Sequence, residues 1–301
     1  MPHHPSYIEL CESGRLNQQK KSLFSRLEDC GLCPRNCHVN RIEGEKGVCQ
    51  TGRYAMVSSY GPHFGEESCL VGSNGSGTVF FTNCNLLCSF CQNYDISHLG
   101  RGFEVTEERL AEIMLELQDM GCHNINLVTP SHVIPQIAGA VESACKKGLT
   151  IPIVYNSGGY DNVESLKLLE GVIDIYMPDF KFSEAQIAVE TCKAPDYFET
   201  AKSAIAEMHR QVGDLKIDSQ GIAYRGLLVR HLVMPGNTAG IEKIMEFLAR
   251  NISENTFINI MPQYRPCGDI SPGAVLSRQI TRDEFREAKE TARLAGLHNL
   301  L

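Results

Sequence analysis

The sequence predicts an α/β fold, a partial (β/α)6 barrel preceded by a small Cys-rich N-terminal extension. From about residue 77 onward, six short apolar runs alternate with amphipathic helical patterns, which is typical of a parallel sheet covered by helices. Polar or Gly/Pro clusters follow most of these runs, as expected where strand ends meet at the mouth of a barrel. Residues 1–76 lack this alternation and contain a cysteine group of their own.

The six predicted strands are apolar runs, most of them rich in β-branched or aromatic residues. They lie at 78–81, 125–128, 151–155, 172–177, 227–234 and 256–261. Alternation alone fits either a doubly wound sheet or a barrel, and the convergence of polar strand ends favours the barrel. Six units in place of eight predict a barrel open on one side, which suits a large substrate.

Helix signals follow the strands. Thr106 is a predicted N-cap, and apolar residues at helical spacing follow it until Gly121. The pairs Asp161/Glu164 and Thr281/Glu284 have the spacing of capping boxes and predict two further helix starts. Apolar stripes predict the other helices, at 133–144, 198–212 and 241–248.

Composition excludes several classes of protein. Lys and Arg number 28 against 36 Asp and Glu, a net charge of −8, which gives no electrostatic reason to bind nucleic acid. No apolar run approaches the roughly 18 residues of a membrane span, and the N-terminus has no apolar signal region. We therefore expect a cytoplasmic protein without nucleic-acid or membrane partners. In such a chain, clustered cysteines indicate metal sites in preference to disulfides.

The more distinctive cysteine group follows the first predicted strand. Cys84, Cys88 and Cys91 are spaced C-x3-C-x2-C. Three thiolates on one loop can bind three irons of a cubane cluster and leave the fourth iron open for chemistry. A zinc site is the alternative, for which His98 is a candidate fourth ligand.

The stretch FFTNCNLLCSFCQN, with GSGT just before it, resembles the signature of radical S-adenosylmethionine enzymes, in the branch related to pyruvate formate-lyase activating enzymes. The resemblance implies a barrel of that type, a 4Fe-4S cluster with an open iron, and S-adenosylmethionine as second cofactor. It also implies an oxidoreductase that reductively cleaves S-adenosylmethionine to a 5′-deoxyadenosyl radical, which abstracts hydrogen from a substrate. Phe90 would pack beside the cluster or the adenine, unless it is simply a core residue.

The resemblance implies partners as well. A single-electron donor such as flavodoxin or ferredoxin would reduce the cluster. The substrate would be a protein, as in glycyl radical enzyme activation, or a peptide or small molecule. The alternative hypothesis is a non-catalytic iron-sulfur or zinc protein that transfers electrons or binds a partner.

A second cysteine group lies in the predicted accessory region, residues 1–76, ahead of the barrel at 77–301. Cys30, Cys33, Cys37 and Cys49 are spaced C-x2-C-x3-C-x11-C. Four thiolates suit a closed zinc site or a fully ligated iron-sulfur cluster equally well. The segment 63–67, with two adjacent glutamates, is expected to be a solvent-exposed turn.

Contacts to S-adenosylmethionine are predicted at the strand ends. Asn156 and Asp179 could accept hydrogen bonds from ribose hydroxyls or the methionine amine, and Lys181 and Arg230 could pair with the carboxylate. Structural salt bridges at a barrel rim are the alternative for these residues. Ser131 is a further candidate, in a segment that stands where many superfamily members carry Gly-Gly-Glu.

Overall fold

The computed structural model describes residues 4–271 and 273–301. These residues form nine strands and eleven α-helices. The strands are β1 (Ala55–His63), β2 (Ser76–Phe81), β3 (Phe103–Val105), β4 (Ile125–Val128), β5 (Ile153–Ser157), β6 (Ile175–Pro178), β7 (Lys216–Ile217), β8 (Ala223–Leu232) and β9 (Phe257–Met261). The helices are α1 (Ser6–Glu12), α2 (Arg15–Ser25), α3 (Ser68–Val71), α4 (Tyr94–Ser97), α5 (Glu107–Asp119), α6 (Ile134–Lys146), α7 (Val163–Lys167), α8 (Ala185–Cys192), α9 (Tyr197–Val212), α10 (Ile241–Phe247) and α11 (Arg282–Leu294).

The sheet is mixed and mainly parallel. Its parallel strands follow the order β2-β4-β5-β6-β8-β9, with Leu127 of β4 beside Val79 of β2 and Tyr155 of β5. These are the six strands predicted from the sequence, although β5 and β6 begin two and three residues later than expected. Antiparallel β1 and β3 extend the sheet beyond β2, and β7 pairs antiparallel with β8. Closure of the parallel strands into a barrel stays a prediction.

Two of the three predicted helix starts are confirmed. The Thr106 hydroxyl accepts from the backbone N–H of Arg109 at 3.2 Å, and Thr281 and Glu284 form a full capping box. The third prediction, the pair Asp161/Glu164, is wrong, because Asn162 caps α7. Asp161 instead accepts hydrogen bonds from two buried hydroxyl groups at the end of β5.

The region before residue 76 contains more regular structure than its weak periodicity predicts. Helices α1 and α2 pack against α6, and β1 joins the main sheet. Leu16 and Leu23 of α2 are fully buried, so the apolar face of this helix is part of the core. The region is therefore continuous with the sheet and its helical layer.

The segment that follows β1 also differs from expectation. Glu66 and Glu67 are not a solvent-exposed pair, because both side chains are largely buried. A Glu66 carboxylate oxygen lies 3.4 Å from Nη1 of Arg230, and Asn259 donates to Glu67 at 2.9 Å. The buried Arg230 cation explains the inward turn, since a buried charge needs a nearby counter-charge.

Within the part of the chain that the structure describes, every helix is too short or too polar to cross a lipid bilayer.

Candidate active site at the carboxyl ends of the strands

An open cavity of about 260 Å³ lies at the carboxyl ends of the parallel strands. Each of the six strands contributes to its wall, either by a residue of the strand or by one directly after it. These residues are Phe81, Val128, Asn156, Asp179, Arg230 and Met261. Because strand ends of one parallel sheet meet at one edge, side chains distant in sequence come together here.

The loop after β2 brings its three cysteines to this cavity. Cys84, Cys88 and Cys91 all line the wall. Asn83 and Leu87 have positive φ angles of 67° and 55°, so the loop turns sharply on either side of Cys84. Left-handed conformations are unfavourable for such residues and are kept only where the surrounding structure requires them.

Hydrogen-bond donors surround the sulfur atoms. The backbone N–H of Leu86 lies 3.3 Å from Cys84 Sγ, and the Ser97 hydroxyl lies 3.2 Å from Cys91 Sγ. Burial raises the pKa of Cys84 to about 12, so the free thiol keeps its proton and a metal has to displace it. Donors aimed at sulfur stabilise thiolate ligands, and the loop therefore fits a metal cluster.

The polar wall of the cavity is a connected network of charges. Asp179 accepts from Lys181 at 2.5 Å and from Arg230 Nε at 2.8 Å. Arg230 also donates to Asn156 Oδ1 at 2.6 Å. Burial opposes the charge of Asp179, but Arg230 and Lys181 outweigh it and lower the pKa of the carboxyl group. The network thus presents fixed charges to the cavity.

Two further predicted residues occupy different environments. Phe90 lines the cavity and packs edge to face against Phe182, with ring centroids 5.8 Å apart, so it belongs both to the core and to the cavity wall. Ser131 is buried, and its hydroxyl contacts Asp161 and Tyr155. Unlike the other predicted contacts to S-adenosylmethionine, it is not part of the described cavity wall.

Sequence reasoning missed two residues of this region. Glu66 provides a second carboxylate for Arg230, and the thiol of Cys192 contacts Cys88. Neither position belongs to a recognisable motif, since Cys192 lies 101 residues beyond Cys91 in the sequence. Only the three-dimensional structure brings them to the site.

The second cysteine group surrounds a cavity of its own. All four residues, Cys30, Cys33, Cys37 and Cys49, line one small pocket. The backbone N–H of Val48 lies 3.4 Å from Cys37 Sγ. Burial raises the pKa of Cys33 to about 12. In the described residues, no three His, Cys, Asp or Glu side chains converge on a position for a single metal ion; both cysteine groups border open cavities.

Arg41 gives this second cavity a positive charge. Its side chain is buried, and its guanidinium donates to the backbone carbonyls of Gly52 and His132. Nη1 also lies 3.9 Å from Cys30 Sγ. Among the described residues, no carboxylate forms an ion pair with Arg41. A buried cation is costly without a counter-charge, and thiolates bound to a metal would provide one.

The fold and the two cysteine groups define a class of protein, a mainly parallel α/β protein with a three-cysteine loop at the carboxyl end of its first parallel strand. The sequence model of the Radical SAM superfamily matches residues 78–248. An uncharacterized protein of Methanocaldococcus jannaschii is 32% identical over 280 residues, which make up 90% of this chain and 75% of that relative. The chain belongs to the radical S-adenosylmethionine superfamily.

Membership in the superfamily indicates the cofactors and the general type of chemistry. It implies a 4Fe-4S cluster, S-adenosylmethionine and the radical chemistry that depends on them, and members of the superfamily are generally enzymes. The matches identify the superfamily and not a branch within it. The relation to pyruvate formate-lyase activating enzymes stays a prediction.

Proposed function

We propose that this protein is an oxidoreductase whose Cys84, Cys88 and Cys91 hold a 4Fe-4S cluster with an open iron. When bound, the cluster and S-adenosylmethionine would supply a 5′-deoxyadenosyl radical for hydrogen abstraction from a substrate. The observation that carries this proposal is the single cavity onto which the three cysteines and the polar strand ends all open. The residues of the chain would bind and orient these cofactors.

The strand-end residues would bind and orient S-adenosylmethionine. Arg230 and Lys181 are the cations near the cysteine loop that could face its carboxylate, and Arg has the better fork geometry. Asn156 and Asp179 could accept from its amine or ribose hydroxyl groups. Phe90 would pack against the cofactors from the core side. Ser131 would act indirectly, by holding Asp161 at the end of β5.

The substrate and the electron donor follow from the relation to activating enzymes. We propose a substrate protein, peptide or small molecule that reaches the cavity from its open side. A flavodoxin or ferredoxin would supply single electrons to the cluster. The cavity at the strand ends is open to solvent, and we favour a macromolecular substrate that reaches it from that side.

We also propose that the four N-terminal cysteines hold a second metal centre, and that it is an iron-sulfur cluster in preference to zinc. Four sulfur atoms around one zinc ion, each about 2.3 Å from it, would have to converge on one point. In the described residues, no three His, Cys, Asp or Glu side chains converge on a position for a single metal ion, and this wider spacing favours a cluster. The buried Arg41 would balance the negative charge of the cluster and its thiolates.

The decisive experiment is product analysis. Anaerobically reconstituted protein with a chemical reductant and S-adenosylmethionine is expected to release 5′-deoxyadenosine and methionine, measured by liquid chromatography and mass spectrometry. Cys88→Ala is expected to abolish this release, because it removes one of three ligands. Cys122→Ala is the matched control, since Cys122 is equally buried but lies outside both cysteine groups.

A non-catalytic electron carrier would take up iron but release no 5′-deoxyadenosine. That result in the wild-type protein contradicts the proposed function. Full turnover by the Cys88→Ala variant would remove the loop after β2 from the mechanism.

A further inference from the structure

One side chain connects the loop of the four N-terminal cysteines directly to the loop after β2, residues 84–91, which we name the catalytic loop. Arg35 lies between Cys33 and Cys37 in sequence. Its Nε donates to the carbonyl of Asn85 at 2.8 Å, and Nη2 lies 3.2 Å from the carbonyl of Leu86. Both carbonyls belong to the segment between Cys84 and Cys88.

The same guanidinium also caps the C-terminal end of helix α8. Nη2 donates to the carbonyl of Cys192 and Nη1 to that of Lys193, both at 2.6 Å. These are terminal helix carbonyls without an intrahelical partner, and a cation is favourable there. The Cys192 thiol in turn contacts Cys88. Arg35 therefore holds the catalytic loop from two sides.

A second side chain forms the reverse connection. Asn85 is almost fully buried directly after Cys84. Its side chain donates to the Tyr160 carbonyl at 2.7 Å and also contacts the sulfur of Cys33. One residue thus follows a ligand of the catalytic loop in sequence and contacts a cysteine of the other group in space.

We propose that the N-terminal metal centre sets the geometry of the catalytic cluster, with Arg35 as the positioning residue and Asn85 as the second link. This inference rests on the two metal centres proposed above. A centre bound to Cys33 and Cys37 fixes the short segment that contains Arg35. When the centre is absent, the four-carbonyl contact of Arg35 loses its support, and the loop from Cys84 to Cys88 relaxes.

The two centres are therefore coupled, although their cysteines form separate groups in the sequence. The coupling follows from hydrogen-bond satisfaction. Removing Arg35 leaves four carbonyl groups without their charged donor, and the backbone has to rearrange or admit water to compensate. Such rearrangement reaches the cluster because the affected carbonyls lie one and two residues beyond Cys84.

The test compares Arg35→Gln with Arg286→Gln, a control that removes an arginine from an exposed ion pair with Asp283. The readout is the change that S-adenosylmethionine produces in the electron paramagnetic resonance spectrum of the reduced, full-length protein. Only a cluster with an open iron binds S-adenosylmethionine, so this change reports the catalytic cluster alone. We expect altered g values in Arg35→Gln and a loss of about 10-fold or more in 5′-deoxyadenosine formation, with neither effect in the control.

Cys49→Ala tests the dependence on the N-terminal centre. We expect it to lose the metal of that centre and to alter the same spectral change in the same direction as Arg35→Gln. A variant that combines Arg35→Gln with Cys49→Ala is expected to differ little from either single variant, because both substitutions act through the contact of Arg35. Independent sites would give additive effects. Arg35→Lys, which keeps the charge but forms fewer of the four bonds, decides the question if Arg35→Gln fails to fold.

The outcomes separate the two proposals. An unchanged S-adenosylmethionine response in both Arg35→Gln and Cys49→Ala overturns the coupling while leaving the proposed function intact. Wild-type protein that responds spectroscopically but releases no 5′-deoxyadenosine overturns the proposed function and leaves the coupling testable by its spectrum.

Discussion

Asp179 is the residue on which the polar side of the cavity depends. It lies between Lys181 and Arg230 and contacts both. Burial opposes the positive charge of Lys181, but the Asp179 carboxylate outweighs it, and the pKa of Lys181 is raised. Asp179 is therefore the counter-charge that both buried cations share. Glu66 offers only a longer contact, and only to Arg230.

Asp179→Asn is expected to lower the free energy of unfolding by about 3 kcal/mol, since it leaves two buried cations without their shared carboxylate. S-adenosylmethionine binding should weaken as well, because Lys181 and Arg230 lose their positions. Urea unfolding and calorimetric titration measure the two effects. Asp283→Asn, in the exposed pair with Arg286, is expected to change stability by less than about 1 kcal/mol. Equal changes in both variants would contradict this account.

At the scale of elements, one buried carboxylate adds a polar connection between α2 and α6 to their apolar packing. Glu142 of α6 accepts from Lys20 and, at 3.2 Å, from Asn17, both of α2, and from Lys146 at 2.6 Å. Burial opposes its ionisation, but Lys146, Lys20 and Asn17 outweigh this effect and lower the pKa of Glu142 to about 2. The interaction therefore favours the folded state whenever Glu142 is ionised.

We expect Glu142→Gln to lower the free energy of unfolding by about 1 to 2 kcal/mol at pH 7. The folded pKa lies below the ordinary value of 4.5, so the contribution is fully present above about pH 4.5 and is lost as the pH falls toward 2. Urea unfolding of both proteins at a series of pH values measures the difference. Glu164→Gln, from an exposed pair with Lys167, is the control, and a difference that stays constant down to pH 2 would refute the charge-based explanation.

Some elements could be read from the sequence and others could not, for identifiable reasons. The six parallel strands are buried, β-branched runs, and such runs are visible without a structure. Strand β1 contains Gly61 and Pro62, which normally argue against a strand. Helices α1 and α2 begin after Pro5 and Gly14, without a side-chain cap, so the usual start signals are missing.

At the scale of the whole molecule, some residues of the site could likewise be predicted from the sequence and others could not. The cysteine spacing and the polar strand ends are local patterns, and the structure brings Cys84, Cys88, Cys91 and four of the five predicted strand-end residues to one cavity. Arg35 could not be predicted, because its hydrogen bonds to Leu86 and Cys192 join positions 51 and 157 residues away. Contacts of that range depend on the completed fold.

Two cysteine groups predict two metal centres in the whole chain. Two cubane clusters require about eight irons per chain in the reconstituted protein, measured by elemental analysis together with sulfide. Replacing Cys84, Cys88 and Cys91 by Ala is expected to leave about four irons, those of the N-terminal centre. Replacing all four N-terminal cysteines should also leave about four, now with a spectrum that responds to S-adenosylmethionine.

Removal of the metal is expected to lower the thermal stability of the whole molecule, because metal-binding free energy is also folding free energy. The effect should be larger at the N-terminal centre than at the catalytic loop, since the loss of thiolates leaves Arg41 buried without a counter-charge. The two cysteine variants, unfolded by heat with and without chelator, separate the contributions. Four irons and one zinc per chain would instead identify the N-terminal centre as a zinc site, and a chain that binds metal only at the catalytic loop would contradict a second centre altogether.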